Sequence, residues 1–498
     1  MVLILVLVVV AMLSLAGLSF VANMRTENQA AHLQGRRLQL EHVAGSAAEL
    51  IKAFCQQSWA DQQEAGGAWD NADRFRGVLV WEDDTSGRRA RFDIVSPRAE
   101  DGQIAGVRYG LENESAKLHL GALLRWEARE PGAARRALLT LPGMTTSIAD
   151  AILDWIDADS APRPFGAEAD YYRDMEAPYR PRNGVPQCLE ELLLVRGVTR
   201  ELMYGGASQR AGPIPARSGR ASLGTLSGGA ATLPWVSLLT VSSAERNETL
   251  DGRPRVHLNT DDLRALHQEL STRLDRSWAD FIVVYRQYGP YRGSRSAEAT
   301  APNVDLSLPP KARIDALLDL VGAKVRLDAP GREAAPVVAS PVAADPAAAR
   351  ESLARLLDVA TVVSAPVIEG TVNVNLAPRA VLMAVPGMDA SLVDRILVAR
   401  GVQGAREDAQ RRFPTWLWGE GLVDLEKMKA LVPYLTGGGD VARAQVTAYY
   451  DRPGPTVRVE LVIDAARTPP RQVYWKQLVA PAGLVPPAVE LGARSVVE

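Results

Sequence analysis

Four carboxylates, Asp157, Asp159, Glu168 and Asp170, bracket a Pro/Gly loop in the run WIDADSAPRPFGAEADYY (155–172). Hard oxygen donors on a flexible loop suit Ca²⁺, which takes six to eight oxygen ligands. The spacing is not that of an EF-hand, which needs side-chain oxygens at alternate positions and a Glu at the twelfth. The same residues also read as a solvated acidic loop in which Asp157 ends a helix. Paired carboxylates can do acid–base work, as in glycosidases, but no nucleophile elbow, phosphate loop or metal-binding His motif accompanies them. The neighbouring Trp155, Tyr171 and Tyr172 read as packing groups rather than a substrate platform.

A second pattern occurs twice. Leu141-Pro142-Gly143-Met144 is followed by Ile148, Ala149 and Ile152, and Val385-Pro386-Gly387-Met388 by Leu392, Val393 and Ile396. Pro and Gly build a tight turn between two helices, and aliphatic residues on the second helix pack against the first. Helix-hairpin-helix turns of this kind hold a DNA phosphate when their amides are free. The DNA-binding form has a second Gly two residues after the first, where this chain has Thr145 and Asp389. A carboxylate at Asp389 would repel phosphate and instead suits a helix cap. The chain has 56 Lys and Arg against 59 Asp and Glu, a net charge of −3, so there is no global basic surface for nucleic acid.

These loops must be carried by larger elements. Residues 1–22 hold no charge; as a helix they would be roughly 33 Å long, enough to cross a bilayer core. A cleaved secretory signal would have a basic segment first and a shorter apolar core. The apolar run starts at residue 1, the pattern left when a type IV pilin is cut just before its helix. Residues 24–52 continue as an amphipathic helix, with Leu33, Leu40, Val43, Ala47, Leu50 and Ile51 at helical spacing. Strand-like runs at 78–82, 91–95 and 104–111 form an antiparallel meander packed on that helix. Helical patterns follow from 118, then strand-like runs within 235–260, one helix over 261–288, and final strands at 444–450, 456–463 and 472–478.

Strands at both ends with helices between them imply an insertion. The expected fold is α+β: a pilin-like N-terminal long helix on an antiparallel sheet, with a large helical domain of SAM-like or helix-hairpin-helix type inserted, and a single transmembrane helix. The expected divisions are a membrane helix (1–24), pilin-like helix and first strands (25–117), inserted helical domain with the acidic loop (118–206), a flexible Gly/Ser/Ala-rich linker (207–234), a variable region (235–328), a Pro/Ala-rich linker (329–349), a second hairpin region (350–436) and strands completing the sheet (437–498). Cys55 and Cys188 are too few for a disulfide framework or zinc cluster. They could pair in an oxidising compartment.

With these pieces in place, the chain resembles the minor pseudopilin K family of type II secretion. The apolar VLILVLVVVAMLSLA resembles the family's N-terminal helix. ENESAKLHLGALL (112–124) resembles its DE-x-GK-hNLN-x-L segment, departing at Ser115, Ala116, His119 and Gly121. The closest match is 152–205, from ILDWIDAD through GAEADYY to EELLLVRGVTRELMYG. TVNVNLAPRAVLMAVPGM (371–388) resembles the family's INVNTA segment, with Leu376 in place of Thr. PRVHLNTDDLRAL (254–266) is a further partial echo of NVNLAPRAVL, so a divergent or enlarged second half is expected. The family's leader peptide and cleavage-site Gly are not in this sequence.

The resemblance implies a non-enzymatic, inner-membrane, single-pass protein with its bulk in the periplasm. It would sit at the tip of the pseudopilus with the I- and J-type minor pseudopilins, start filament assembly, and engage the secretin or secreted proteins, with no nucleic acid. Family K generally lacks the Glu that other pseudopilins carry at the fifth mature residue, and position five here is Leu5. Relatives bind calcium in the helical domain, which the resemblance carries to Asp157, Asp159, Glu168 and Asp170. Two other classes stand beside this one: a membrane-anchored DNA-binding module using the hairpins, as in competence proteins, and a periplasmic hydrolase using the acidic loop.

Overall fold

The computed structural model describes residues 2–82, 89–100, 103–205, 233–294, 304–327, 336–401, 409–452 and 454–478. Its first element, α1 (Val2–Gln56), is one continuous helix of 55 residues, about 82 Å long at 1.5 Å per residue. The apolar N-terminal part is exposed along its whole length, from Val2 through Phe20. It is the one helix among the described residues that is long and apolar enough to cross a membrane. Burial begins at Leu40 and then follows Val43, Ala44, Ala47, Ala48, Ile51 and Phe54, a stripe at helical spacing.

That stripe lies on a seven-stranded sheet. The strands are β1 (Val78–Trp81), β2 (Ala90–Glu100), β3 (Gln103–Arg108), β4 (Glu112–Asn113), β5 (Val441–Tyr450), β6 (Val457–Asp464) and β7 (Arg471–Leu478). The order is β1-β2-β5-β6-β7, with β3 added on β2 and β4 on β5, all antiparallel. Side chains alternate across a pleated strand. Phe92, Ile94, Val446, Ala448, Val459, Leu461 and Ile463 therefore share the core under α1. The register puts Val446 opposite both Ile94 and Val459.

The insertion leaves and re-enters the sheet at one place: Asn113 lies opposite Ala442, and Glu112 opposite Arg443. Between them the chain closes three loops in the same way. Leu118–His119 pairs in parallel with Leu239–Thr240, Val256–His257 with Ala360–Thr361, and Val372–Asn373 with Leu435–Thr436. Each closing Thr accepts the amide two residues on, from Ser242 (3.1 Å), Val363 (3.1 Å) and Gly438 (3.0 Å). Each loop contains a helix pair: Ala133–Leu139 with Thr146–Ile156, Leu263–Arg273 with Arg276–Tyr288, and Arg379–Ala384 with Ala390–Arg400. On the second helix of each pair an Asp, five residues beyond the N-cap (Thr145, Asp275, Asp389), meets a basic side chain from the first. The pairs are Asp150 with Arg135 at 2.6 Å, Asp280 with His267 at 2.7 Å, and Asp394 with Arg379 at 3.0 Å. The echo at 254–266 thus opens a middle module with the wiring of the other two.

The structure corrects three sequence expectations. The helix expected over 261–288 is two helices, because Leu274 turns inward to a buried position and Asp275 is extended before the second starts. Within the stretch read as a Pro/Ala-rich linker at 329–349, Val337–Ala339 forms a strand on Lys324–Arg326, with Val337, Val338 and Val342 buried. Three valines in a short span can bury enough apolar surface to order the chain. The third correction is at 188–205, within the helical patterns expected from 118. It is a 3₁₀ helix (Leu189–Leu194) and a short α-helix (Arg200–Tyr204) around Gly197. Of the linker read at 207–234, residues 207–232 lie outside the described residues.

Candidate cation centre

The helix Thr146–Ile156 carries the acidic centre at its C-terminal end. Thr145 caps its start by accepting the Ile148 amide, and Asp157 closes it with its amide on the Leu153 carbonyl. Its buried run includes two carboxylates, Asp150 and Asp154, both at 0 % exposure. A buried carboxylate must be paired or hydrogen-bonded. Asp150 is met by Arg135 and by the Phe165 amide. Asp154 accepts the Arg163 backbone amide and its Nη1, the latter at 2.7 Å. Arg163 also bonds Asp157 Oδ2, so one guanidinium spans both acids. Gly166 is required beside them, because a Cβ there would stand 1.7 Å from Asp154 Oδ2.

Beyond Arg163 the balance of charge runs out. Asp157, Asp159 and Glu168 place carboxylate oxygens within 4.8 Å of one another. Asp157 Oδ1 and both oxygens of Glu168 are buried without any hydrogen-bond partner, and Glu168 is only 6 % exposed. Burial, and then the charges of Asp154 and Asp157, push the Glu168 carboxyl up to about 7. Asp157 is likewise raised by burial, against the opposing pull of Arg163. Lone pairs buried without donors, on acids already crowded together, are the donor set of a hard cation. The residues fit calcium on that ground: Asp157, Asp159 and Glu168 would hold it, and its charge would replace the missing donors.

Asp170 is not part of this group. It sits on the short helix Ala169–Arg173, exposed and paired with Arg173. Asn183 is a residue that the sequence reading missed. Its Nδ2 donates to the Asp159 carbonyl at 2.7 Å, while its Oδ1 is buried without a partner. It holds φ +50°, a left-handed conformation that Asn tolerates better than most residues. The Asn-Gly pair at 183–184 was the available signal. Trp155 and Tyr172 are buried and meet edge-on at 5.4 Å, as packing groups do, whereas Tyr171 is exposed. Cys55 and Cys188 are both free.

The hairpin turns also serve packing. A third copy, unnoticed in sequence, runs Leu192 to Thr199 with the pattern Leu-x-x-Leu/Val-x-Gly-Met/Val-Thr/Asp. Its amides at Val195 and Val198 bond three residues back, as do those of Leu141 and Met144. Gly143 and Gly197 both have positive φ. A Cβ on Gly143 would meet Leu202 at 2.6 Å, and one on Gly197 would meet Ile148 at 2.9 Å. Leu202 and Ile148 each lie three residues past a Thr cap, so the two turns grip each other reciprocally. Trp235 donates to the Pro142 carbonyl at 2.9 Å and closes the first turn further. Asp389 caps its helix by accepting the Leu392 amide.

A second buried acid marks the root of the insertion. Glu114, at 0 % exposure, bonds Lys117 (2.8 Å), Arg443 on β5 (2.7 Å) and the Thr240 hydroxyl. Burial alone would raise its carboxyl, but Arg443 and Lys117 outweigh this and hold it down at about 2.

The fold and these sites define a class: a pilin-like α+β protein with an exposed N-terminal apolar helix and a modular helical insertion. Residues 116–204, which contain the cation centre and the reciprocal hairpins, match the family model described as type II secretion system (T2SS), protein K. Over this domain the chain is similar to protein K of type II secretion. Among solved structures, one similar to this chain is the crystal structure of the GspK-GspI-GspJ complex from the enterotoxigenic Escherichia coli type 2 secretion system. It has 10 % identity and a TM-score of 0.40, over 90 % of this chain and 99 % of that one. A search of curated protein sequences gives no match.

Proposed function

We propose that this protein is a structural minor pseudopilin of type II secretion, held in the inner membrane by α1 with its remaining mass in the periplasm. At the pseudopilus tip it would join I- and J-type minor pseudopilins, start assembly, and present the insertion to the secretin or to secreted proteins. The observation that carries this reading is a protein K domain set as an insertion into a helix-on-sheet body whose helix projects an exposed apolar length. Calcium held by Asp157, Asp159 and Glu168 would brace the insertion rather than supply chemistry.

The alternatives are less well supported. Reciprocal packing of Gly143 and Gly197 occupies two turns that a DNA-binding protein would leave open to phosphate. Glu168 is the perturbed carboxylate that a hydrolase would need, but at 6 % exposure it is closed to a substrate.

The test is a mass measurement by light scattering on a sizing column. The protein in detergent is mixed with the I- and J-type pseudopilins of the same genome, in calcium and then in chelator. A 1:1:1 complex that loosens in chelator is expected. No complex in either condition contradicts the proposal.

A further inference from the structure

We propose that the cation centre controls how firmly the insertion is docked on the edge of the sheet, through the 3₁₀ turn Leu189–Leu194. This rests on the reading of Asp157, Asp159 and Glu168 as cation ligands. Its independent footing is Glu168, nine-tenths buried and with both oxygens unpartnered inside the centre.

A short chain of contacts leads from the centre to the sheet. Asn183 donates to the Asp159 carbonyl at 2.7 Å, and the Gly184 amide to the Trp155 carbonyl at 3.3 Å. Beside them Arg182 bonds Glu191 Oε2 at 2.7 Å, and the Trp155 indole donates to Glu191 Oε1 at 3.1 Å. So Glu191 is fixed by the same segment that closes over the acids. The adjacent Glu190 reaches the other way, to β7. It accepts the Tyr474 hydroxyl at 2.5 Å and Lys476 Nζ at 2.8 Å. Lys476 also lies 5.5 Å over the ring of Tyr204, from the helix behind the third hairpin turn.

β7 is well placed to respond. It pairs with β6 alone among the described strands, and Val473 and Trp475 are exposed on it. An edge strand held on one side opens at lower cost than a central one. With a cation bound, the acids are neutralised, and 157–191 is held as one piece with Glu190 aimed at Tyr474 and Lys476. Without it, Asp157, Asp159 and Glu168 repel one another, the Asn183 contact is weakened, and Glu190 loses its fixed direction. Coupling requires that the cation bind the braced arrangement more tightly than the loosened one. The edge strand would then be firm only on loaded molecules.

The test is hydrogen exchange at residues 471–478 in the full chain in detergent, with calcium or with chelator, alongside calorimetric titration of calcium. The proteins are wild type, Glu190→Gln and Tyr474→Phe; the last loses only a hydroxyl, so a folding defect in the first leaves the test intact. Calcium should slow exchange in β7 by roughly tenfold in wild type, a typical size for coupled sites. That slowing should collapse in Glu190→Gln and shrink in Tyr474→Phe, with calcium still bound by both and its affinity lowered by no more than the same factor. Calcium binding with no change in β7, or slowing that survives both variants, overturns the coupling and leaves the cation centre standing. No calcium binding by wild type overturns both.

Discussion

Glu114 and Glu168 are both buried glutamates of the same insertion, and they are solved in opposite ways. Glu114 sits among Lys117, Arg443 and Thr240, with donors on both oxygens, and its carboxyl is held down at about 2. Glu168 sits among Asp154, Asp157 and Asp159 with no side-chain donor on either oxygen, and its carboxyl is pushed up to about 7. Burial disfavours the charge in both cases; the neighbours decide the sign. The first cluster is complete in protein alone, as a joint between sheet and insertion should be. The second lacks positive charge, which a divalent cation would supply on the proposed reading.

The contrast breaks most visibly at the joint. Arg443→Met leaves Glu114 buried with one cation fewer, and should cost about 3–5 kcal/mol, read from urea unfolding; a loss near zero would mean the cluster is incidental. The same cluster sets a pH response. Because Glu114 is depressed in the folded state, its contribution is full above the ordinary value of 4.5 and is lost as pH falls from there toward about 2. Thermal melts of Glu114→Gln should lack that acid limb.

At the other cluster, calcium at a hundred times its Kd should stabilise the protein by about 2.7 kcal/mol. Glu168→Gln should abolish that gain and, in chelator, be no less stable than wild type, since it removes a repelling charge. A Glu168→Gln protein clearly weaker than wild type in chelator would mean Glu168 has a partner when no metal is bound. Gly166→Ala should cost about 1–3 kcal/mol, because its Cβ displaces Asp154, and calcium binding should weaken with it. Asp170→Asn should stay within about 0.5 kcal/mol in stability, as an exposed substitution does, and leave calcium titrations unchanged.

Sequence patterning carried far for the sheet body. The α1 stripe from Leu40 to Phe54 and the alternating strands of β2, β5 and β6 are local periodicities, readable without knowing what they pack on. The cation centre was half legible. Asp157, Asp159 and Glu168 are visible as acids, but composition does not separate them from Asp170, which differs only in pointing outward from a short helix. Asn183 and Arg163 join the centre through a turn and a side-chain reach that no spacing rule encodes. The three-module insertion was hidden for another reason. Its closing strands are two residues long, too short for any periodicity. Only the opening residues and the Asp at a fixed distance from each cap repeat.

The most direct measurement is a calorimetric titration of calcium into chelator-treated full-length protein in detergent, beside Glu168→Gln. An incomplete acidic cluster predicts saturable binding in wild type and none in the variant. Equal heats in both, or none in wild type, would contradict a cation centre built on Asp157, Asp159 and Glu168.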